Sequence, residues 1–129
     1  MTKPTRKHVA SGSAWETKFG YSRAVAQGDW CFVSGTTGTN YETGKMPESA
    51  AQQARNAITT IDGALRSCDF EMGHVVRVKY IVSSREIIDQ IQPELQRAFG
   101  AIKPAATMIV AELIEDSMKV EIEVTAFKG

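Results

Sequence analysis

The run Pro104-Ala-Ala-Thr-Met-Ile-Val-Ala-Glu-Leu113, followed closely by Lys119-Val-Glu-Ile-Glu-Val-Thr-Ala-Phe127, carries the reading of the fold. It reads as two strands, over residues 104–113 and 119–127. The second alternates without a fault. Val120, Ile122, Val124 and Ala126 share one face, and Glu121, Glu123, Thr125 and Phe127 share the other. A strand face with two carboxylates has two explanations. It faces water, as one side of an antiparallel sheet commonly does, or it lines a polar pocket. On this segment alone, water is the simpler reading.

Upstream, the pattern alternates between strands and helices. Residues 7–10 suggest a short first strand, and Ser11-Gly-Ser-Ala a loop that also holds Trp15 and Glu16. Residues 21–27 and 30–34 read as a hairpin turning at Gly28-Asp29. Ser34-Gly35-Thr36-Thr37-Gly38 ends its second strand, and Gly35 admits close approach of another group. The segment is either a pocket wall or a plain strand end. It lacks the spacing and the lysine of a phosphate loop.

Ser49-Ala-Ala-Gln52 spells a capping box. Behind it Ala54, Ala57, Ile58, Ile61, Ala64 and Leu65 recur at helical spacing, which predicts an amphipathic helix ending near Ser67. Residues 74–82 form the next strand, with Val76, Val78, Tyr80 and Val82 on one face and Arg77 and Lys79 on the other. Residues 85–99 are helical in pattern, but Pro93 lies among them. Proline removes a backbone donor and clashes inside a helix. A turn followed by a helix from Pro93, or one kinked helix, accommodates it. His8 and His74 receive no catalytic role.

The resulting order is β-β-β-α-β-α-β-β, a single α+β domain over residues 1–129 with one sheet and both helices on one face. The other face, if apolar, packs on another subunit. Fifteen basic residues balance fifteen acidic ones, so a strong general field for nucleic acid is not expected. No apolar run has the length of a membrane span, and the N-terminus lacks the apolar stretch of a secretory signal. Cys31 and Cys68 have no metal-ligand spacing and read as reduced core thiols. The expectation is a soluble cytoplasmic protein.

Several short motifs now agree. Gly20-Tyr21-Ser22 precedes a strand, Val33-Ser34-Gly35 closes the next, Pro104-Ala105 follows the second helix, and Val120-Glu-Ile-Glu123 lies near the end. In length, element order and motif spacing the chain resembles the RidA/YjgF family, also labelled endoribonuclease L-PSP. The resemblance implies a chorismate-mutase-like α+β fold and homotrimers with a barrel-like centre and clefts between subunits. Well-studied members hydrolyse enamines and imines such as 2-aminoacrylate, releasing ammonia, with neither metal nor organic cofactor. It further implies that Tyr21 is a cleft tyrosine, that Ser34 and Gly35 contact the ligand partly through backbone, and that Glu121 handles the water or proton.

One departure matters. The family's hydrolytic members carry an arginine in a Pro-Ala-Arg-Ser/Thr motif, and here Pro104-Ala105-Ala106-Thr107 puts Ala106 in its place. Met108 stands for a common cysteine, and Gln92 for a helix asparagine of the neighbouring cleft wall. The chain thus resembles a subgroup without the arginine. That arginine offers a planar fork to a substrate carboxylate. Without it, either the substrate lacks that carboxylate or another cation has moved in. Arg23 is a candidate, because two residues after Tyr21 a regular strand puts it on the same face. The alternative is a surface arginine supporting a nearby carboxylate.

Three functions compete. The first is a deaminase-type hydrolase using Glu121 as general base through a water. The second is a non-catalytic metabolite-binding or regulatory trimer. The third, an RNA-acting protein, is disfavoured by the zero net charge and the lack of a basic-aromatic stripe.

Overall fold

The computed structural model describes residues 5–129. Six strands form one sheet: β1 (Arg6–Val9), β2 (Ala24–Gln27), β3 (Trp30–Thr37), β4 (Val75–Val82), β5 (Ala105–Val110) and β6 (Val120–Phe127). Three helices accompany it: α1 (Ala14–Phe19), α2 (Ala50–Ser67) and α3 (Glu86–Phe99). The spatial order is β1-β2-β3-β6-β4-β5. The last two strands of the chain are therefore not neighbours, because β4 lies between them.

The topology follows from the pairing. β6 is antiparallel to both β3 and β4, so those two strands run parallel to each other. Parallel strands need a crossover. α2 supplies it between β3 and β4, and the last strand fills the gap between them. α3 supplies the crossover from β4 to β5, the one directly bonded parallel pair.

The core lies between the sheet and the two long helices. Val120, Ile122, Val124 and Ala126 meet Ile61, Leu65 and Ile91 there, all at most 1% exposed. Burying each of these valine, leucine and isoleucine side chains stabilises by about 1.5–3 kcal/mol. Ser49 caps α2 by accepting from Gln52 N at 3.2 Å. Gln53, at 0% exposure, donates to the carbonyls of Pro47 and Ser117 and accepts from Lys119 N at 2.9 Å. It ties the helix start to the approach to β6.

Four expectations need correction. Trp15 and Glu16 lie in a helix, not a loop. Ser13 caps α1 and Gly20 closes it at φ 74°, and Ser13-x-x-Glu16 is itself a capping-box pattern. The strand expected from Tyr21 begins at Ala24. Val76 leaves the core face and is 43% exposed. The β4–β6 register shifts between Val75 and Arg77, making Val76 the extra residue of a bulge, and Val75 takes its place inside. Finally, the strand expected over residues 104–113 ends at Val110, while α3 runs through Pro93 as one helical element, the single-helix alternative, its apolar stripe of Ile87, Ile91 and Phe99 outweighing one lost hydrogen bond.

The sheet face away from α2 and α3 carries an aromatic cluster. Trp30 and Phe127 lie opposite each other in register, ring centroids 4.5 Å apart, and Phe32 stacks on Trp30 at 6.1 Å. All three are exposed in the single chain.

Candidate functional site

A cavity of about 320 Å³ opens where the first helix, the end of β3 and the start of β6 meet. A bulge shapes its floor. The β3–β6 register shifts between Val33 and Thr36, so Ser34 and Gly35 together stand across from Glu123. The bulge lifts the Gly35 backbone toward the neighbouring strand. A Cβ at position 35 would lie 2.8 Å from Glu121 Oε2 and 2.9 Å from its Cδ. Glycine is what lets the Glu121 carboxyl rest on the bulge.

Glu121 leaves β6 on the face away from the two long helices, as its alternation requires. It is half-buried. Among the described residues no side chain or backbone group donates to its carboxylate. Burial pushes its pKa above the ordinary 4.5; nearby Arg23 pulls the other way, and Glu123 adds to the rise. The result is a carboxyl nearer to the neutral form than a surface glutamate, facing an open volume. Such a group can take or give a proton.

Arg23 stands behind the bulge and is 2% exposed. Its Nε and Nη2 donate to Glu16 Oε2 at 3.3 and 3.2 Å. Its Nη1 donates to the Gly35 carbonyl at 2.8 Å and to Thr36 Oγ1 at 3.1 Å. Glu16 in turn accepts from Ser11 N at 3.0 Å and from the Ser11 hydroxyl. The guanidinium therefore braces the bulge from below. It partners a carboxylate, as one reading of the sequence held, but Arg23 is buried rather than on the surface. It is not part of a strand shared with Tyr21 either, since β2 starts at Ala24. Tyr41 and Tyr21 flank it, with ring centroids 4.7 and 5.7 Å from the guanidinium carbon.

The walls are aromatic and apolar. Trp15, Met46, Ile114 and Met118 line them together with Tyr21 and Tyr41. The Tyr41 hydroxyl accepts from Thr37 N at 3.2 Å, which holds the ring in place. Trp15 stacks on Phe19 at 5.1 Å. Sequence reasoning missed Glu16, Tyr41 and the loop from Ile114 to Met118. The capping-box spacing was the available signal for Glu16; Tyr41, in a polar turn, offered none.

The residues singled out from sequence divide into two groups. Tyr21, Arg23, Gly35 and Glu121 line this cavity. Ser34 is beside it, its hydroxyl donating to the Ser22 carbonyl at 2.6 Å. Gln92, Ala106 and Met108 line a different groove, of about 530 Å³, between α3 and β5. The register explains the split. Val78 pairs with Ala106 and Tyr80 with Met108, so both residues point to the helix side of the sheet. Glu121 points to the other side. One protomer cannot bring these two groups to one ligand. Among the described residues, no group of three or more His, Cys, Asp or Glu side chains could hold a metal ion. None of their helices is long and apolar enough to cross a membrane.

A family model described as endoribonuclease L-PSP matches residues 11–128, and the chain belongs to that family. A solved structure of a member of the YjgF/YER057c/UK114 family, Rv2704 from Mycobacterium tuberculosis, superposes with a TM-score of 0.87 at 34% identity, covering 96% of this chain and 100% of that one. An uncharacterized protein of Streptomyces coelicolor, SCO2049, is 28% identical across 100% of this chain and 97% of its own length. The bovine 2-iminobutanoate/2-iminopropanoate deaminase is 23% identical over 100% of this chain and 95% of that protein. With the family goes the chorismate-mutase-like α+β fold, here one six-stranded sheet with its two long helices packed on one face.

Proposed function

We propose that the cavity is the active site of a deaminase-type hydrolase acting on an imine, an enamine or a related nitrogen compound. The observation that carries this is the Glu121 carboxyl resting on Gly35, half-buried, with a raised pKa and an open volume before it. Glu121 takes a proton from a water molecule as the oxygen adds to the C=N carbon. The same proton passes to the nitrogen. Glu121 then passes the hydroxyl proton of the adduct to the nitrogen as the C=O bond forms and the C–N bond breaks, so imine plus water becomes carbonyl compound plus ammonia. An enamine first takes a proton on carbon and reaches the same imine. General acid–base help of this kind contributes roughly a hundredfold to ten-thousandfold. Tyr21 positions or polarises the reacting group. Low-identity relatives named as 2-iminobutanoate/2-iminopropanoate deaminases support the reaction class.

The substrate differs from 2-aminoacrylate-type imino acids. Ala106 replaces the family's arginine, and Arg23 is engaged with Glu16, Gly35 and Thr36. The test is ammonia release from a panel of enzymatically generated imines by wild type and Glu121→Gln. Turnover that survives the substitution removes Glu121 from the mechanism.

The chain works as a homotrimer with clefts between subunits. Two features support this: the exposed Trp30–Phe32–Phe127 cluster, and the placement of Glu121 and Ala106 on opposite sheet faces. A second subunit is what would bring the groove of Gln92, Ala106 and Met108 to the mouth of the Glu121 cavity. Light scattering is expected to give three times the 14.1 kDa chain mass.

A second reading, a metabolite-binding or regulatory trimer without turnover, is favoured by the same loss at Ala106. A ligand that raises the melting temperature and is recovered chemically unchanged supports it.

A further inference from the structure

Within one protomer, the charges that face the cavity are unbalanced. Among the described residues its lining contains one guanidinium, Arg23, and two carboxyl groups, Glu115 and Glu121. The single cation is already neutralised. Glu16 takes two of its N–H groups, and the Gly35 carbonyl and Thr36 hydroxyl take two more. Neither of the two carboxylates, by contrast, has an ion-pair partner within reach among the described residues. Among the described residues, no lysine lines the cavity. A carboxylate ligand would enter against two like charges, with no free N–H fork to receive it.

The walls favour the opposite sign. Trp15, Tyr21 and Tyr41 line the same volume as Glu121. Aromatic faces attract a cation through their quadrupole, more so where water is excluded. Met46, Met118 and Ile114 complete an apolar surround, which suits the body of a small organic molecule rather than a bare ion. The Arg23 guanidinium lies over both tyrosine rings, 4.7 Å from the centroid of Tyr41 and 5.7 Å from that of Tyr21, so the rings are held in place without a ligand.

We infer that the Glu121 cavity selects small ligands with an apolar body and a positively charged nitrogen, an ammonium or iminium group held between Glu121 and the rings of Trp15 and Tyr41, and rejects the matching carboxylates. This rests on the cavity being the site proposed above, and names the chemical class it takes. An iminium ion is also the more electrophilic form of an imine, so a site that stabilises the cation favours addition of water to its carbon.

Three probes that share a benzyl group test it by calorimetry on the full chain: benzylamine, benzyl alcohol and phenylacetate. Benzylamine is expected to bind at least tenfold tighter than benzyl alcohol, and phenylacetate not measurably. Glu121→Gln should bring benzylamine down to the level of the alcohol. Trp15→Leu, at a position 41% exposed, should weaken the amine more than the alcohol. Phenylacetate binding as tightly as benzylamine overturns the inference. Were that binding lost in Lys103→Ala, the cation would come from the groove that also holds Ala106. Benzylamine affinity unmoved by Glu121→Gln overturns it too. The two readings fail separately. Ammonia release that depends on Glu121 together with phenylacetate binding leaves the hydrolase and removes the cation preference. Glu121-dependent amine binding without ammonia release from any imine does the reverse.

Discussion

The carboxyl of Glu121 lies directly over the backbone of Gly35, so close that a methyl group at position 35 would come within 2.8 Å of its Oε2. The obstructing atoms belong to a flexible side chain, not to backbone, and no left-handed φ is required at Gly35. Gly35→Ala is therefore expected to fold, at a cost of about 1 kcal/mol from overpacking. It displaces the carboxyl from the cavity floor. Ligand affinity and any turnover should fall at least tenfold, while the melting temperature drops by only a few degrees. Unchanged activity in Gly35→Ala would mean that this contact does not position Glu121.

The Arg23–Glu16 pair should behave as a buried ion pair, since both members are at most 6% exposed. Removing one partner strands the other charge, which costs about 3–5 kcal/mol. Arg23→Met should shift the urea midpoint strongly, and Arg23→Met with Glu16→Leu should cost less than the two single changes added together. The Arg66–Asp62 pair on the surface of α2 is the contrast, with side chains 68% and 36% exposed. Arg66→Ala should leave the midpoint unchanged within error. Equal shifts from Arg23→Met and Arg66→Ala would refute the bracing role.

The raised pKa of Glu121 predicts a pH dependence of stability with a definite sign. Its native value lies above the ordinary 4.5, so between the two the native state binds more protons than the unfolded state. Unfolding then releases protons, and the contribution of this group to stability falls as pH rises through that window. Glu121→Gln removes the slope. Urea titrations of both proteins at several acidic pH values measure it. A wild-type profile that parallels the variant's would show that Glu121 titrates as an exposed carboxyl. Binding of a cationic ligand carries the opposite trend, strengthening as Glu121 loses its proton.

Cys31 and Cys68 are both buried. Burial, reinforced by the neighbouring Cys68, pushes the Cys31 thiol up to about 12. The thiolate is the reactive form and burial shields both sulfurs from the reagent, so neither cysteine should react with Ellman's reagent at pH 8 until the protein unfolds, and both should react in denaturant. Rapid labelling of one thiol in the native state would contradict this packing.

Much of the fold could be read along the chain. The alternation from Val120 to Phe127, the capping box at Ser49 and the helical stripe behind it each lie within a few residues and act through local geometry. The family followed from short motifs whose spacing the chain keeps. The reading weakened where one local preference competed with another. Pro93 argued for a break, yet the apolar face of α3 continues across it. Val76 fitted the alternation of β4, yet a bulge turned it outward. Trp15 and Glu16 looked like loop residues, because the reason Glu16 is buried, the guanidinium of Arg23, becomes apparent only when the two segments meet.

The sequence by itself determined the types of the long elements, the inward face of the last strand and the identities at the key positions: glutamate at 121, glycine at 35 and alanine at 106. Tertiary structure alone decided who meets whom. It inserted the last strand between β3 and β4, and it set the bulge that brings Gly35 under Glu121. It closed Arg23 onto Glu16, and it put Ala106 on the far side of the sheet from Glu121. The physical reason is range. Alternation and capping are set by neighbours along the chain, whereas strand order, register shifts and buried ion pairs depend on which distant surfaces pack best, a difference between large opposing free energies that no short stretch of sequence contains.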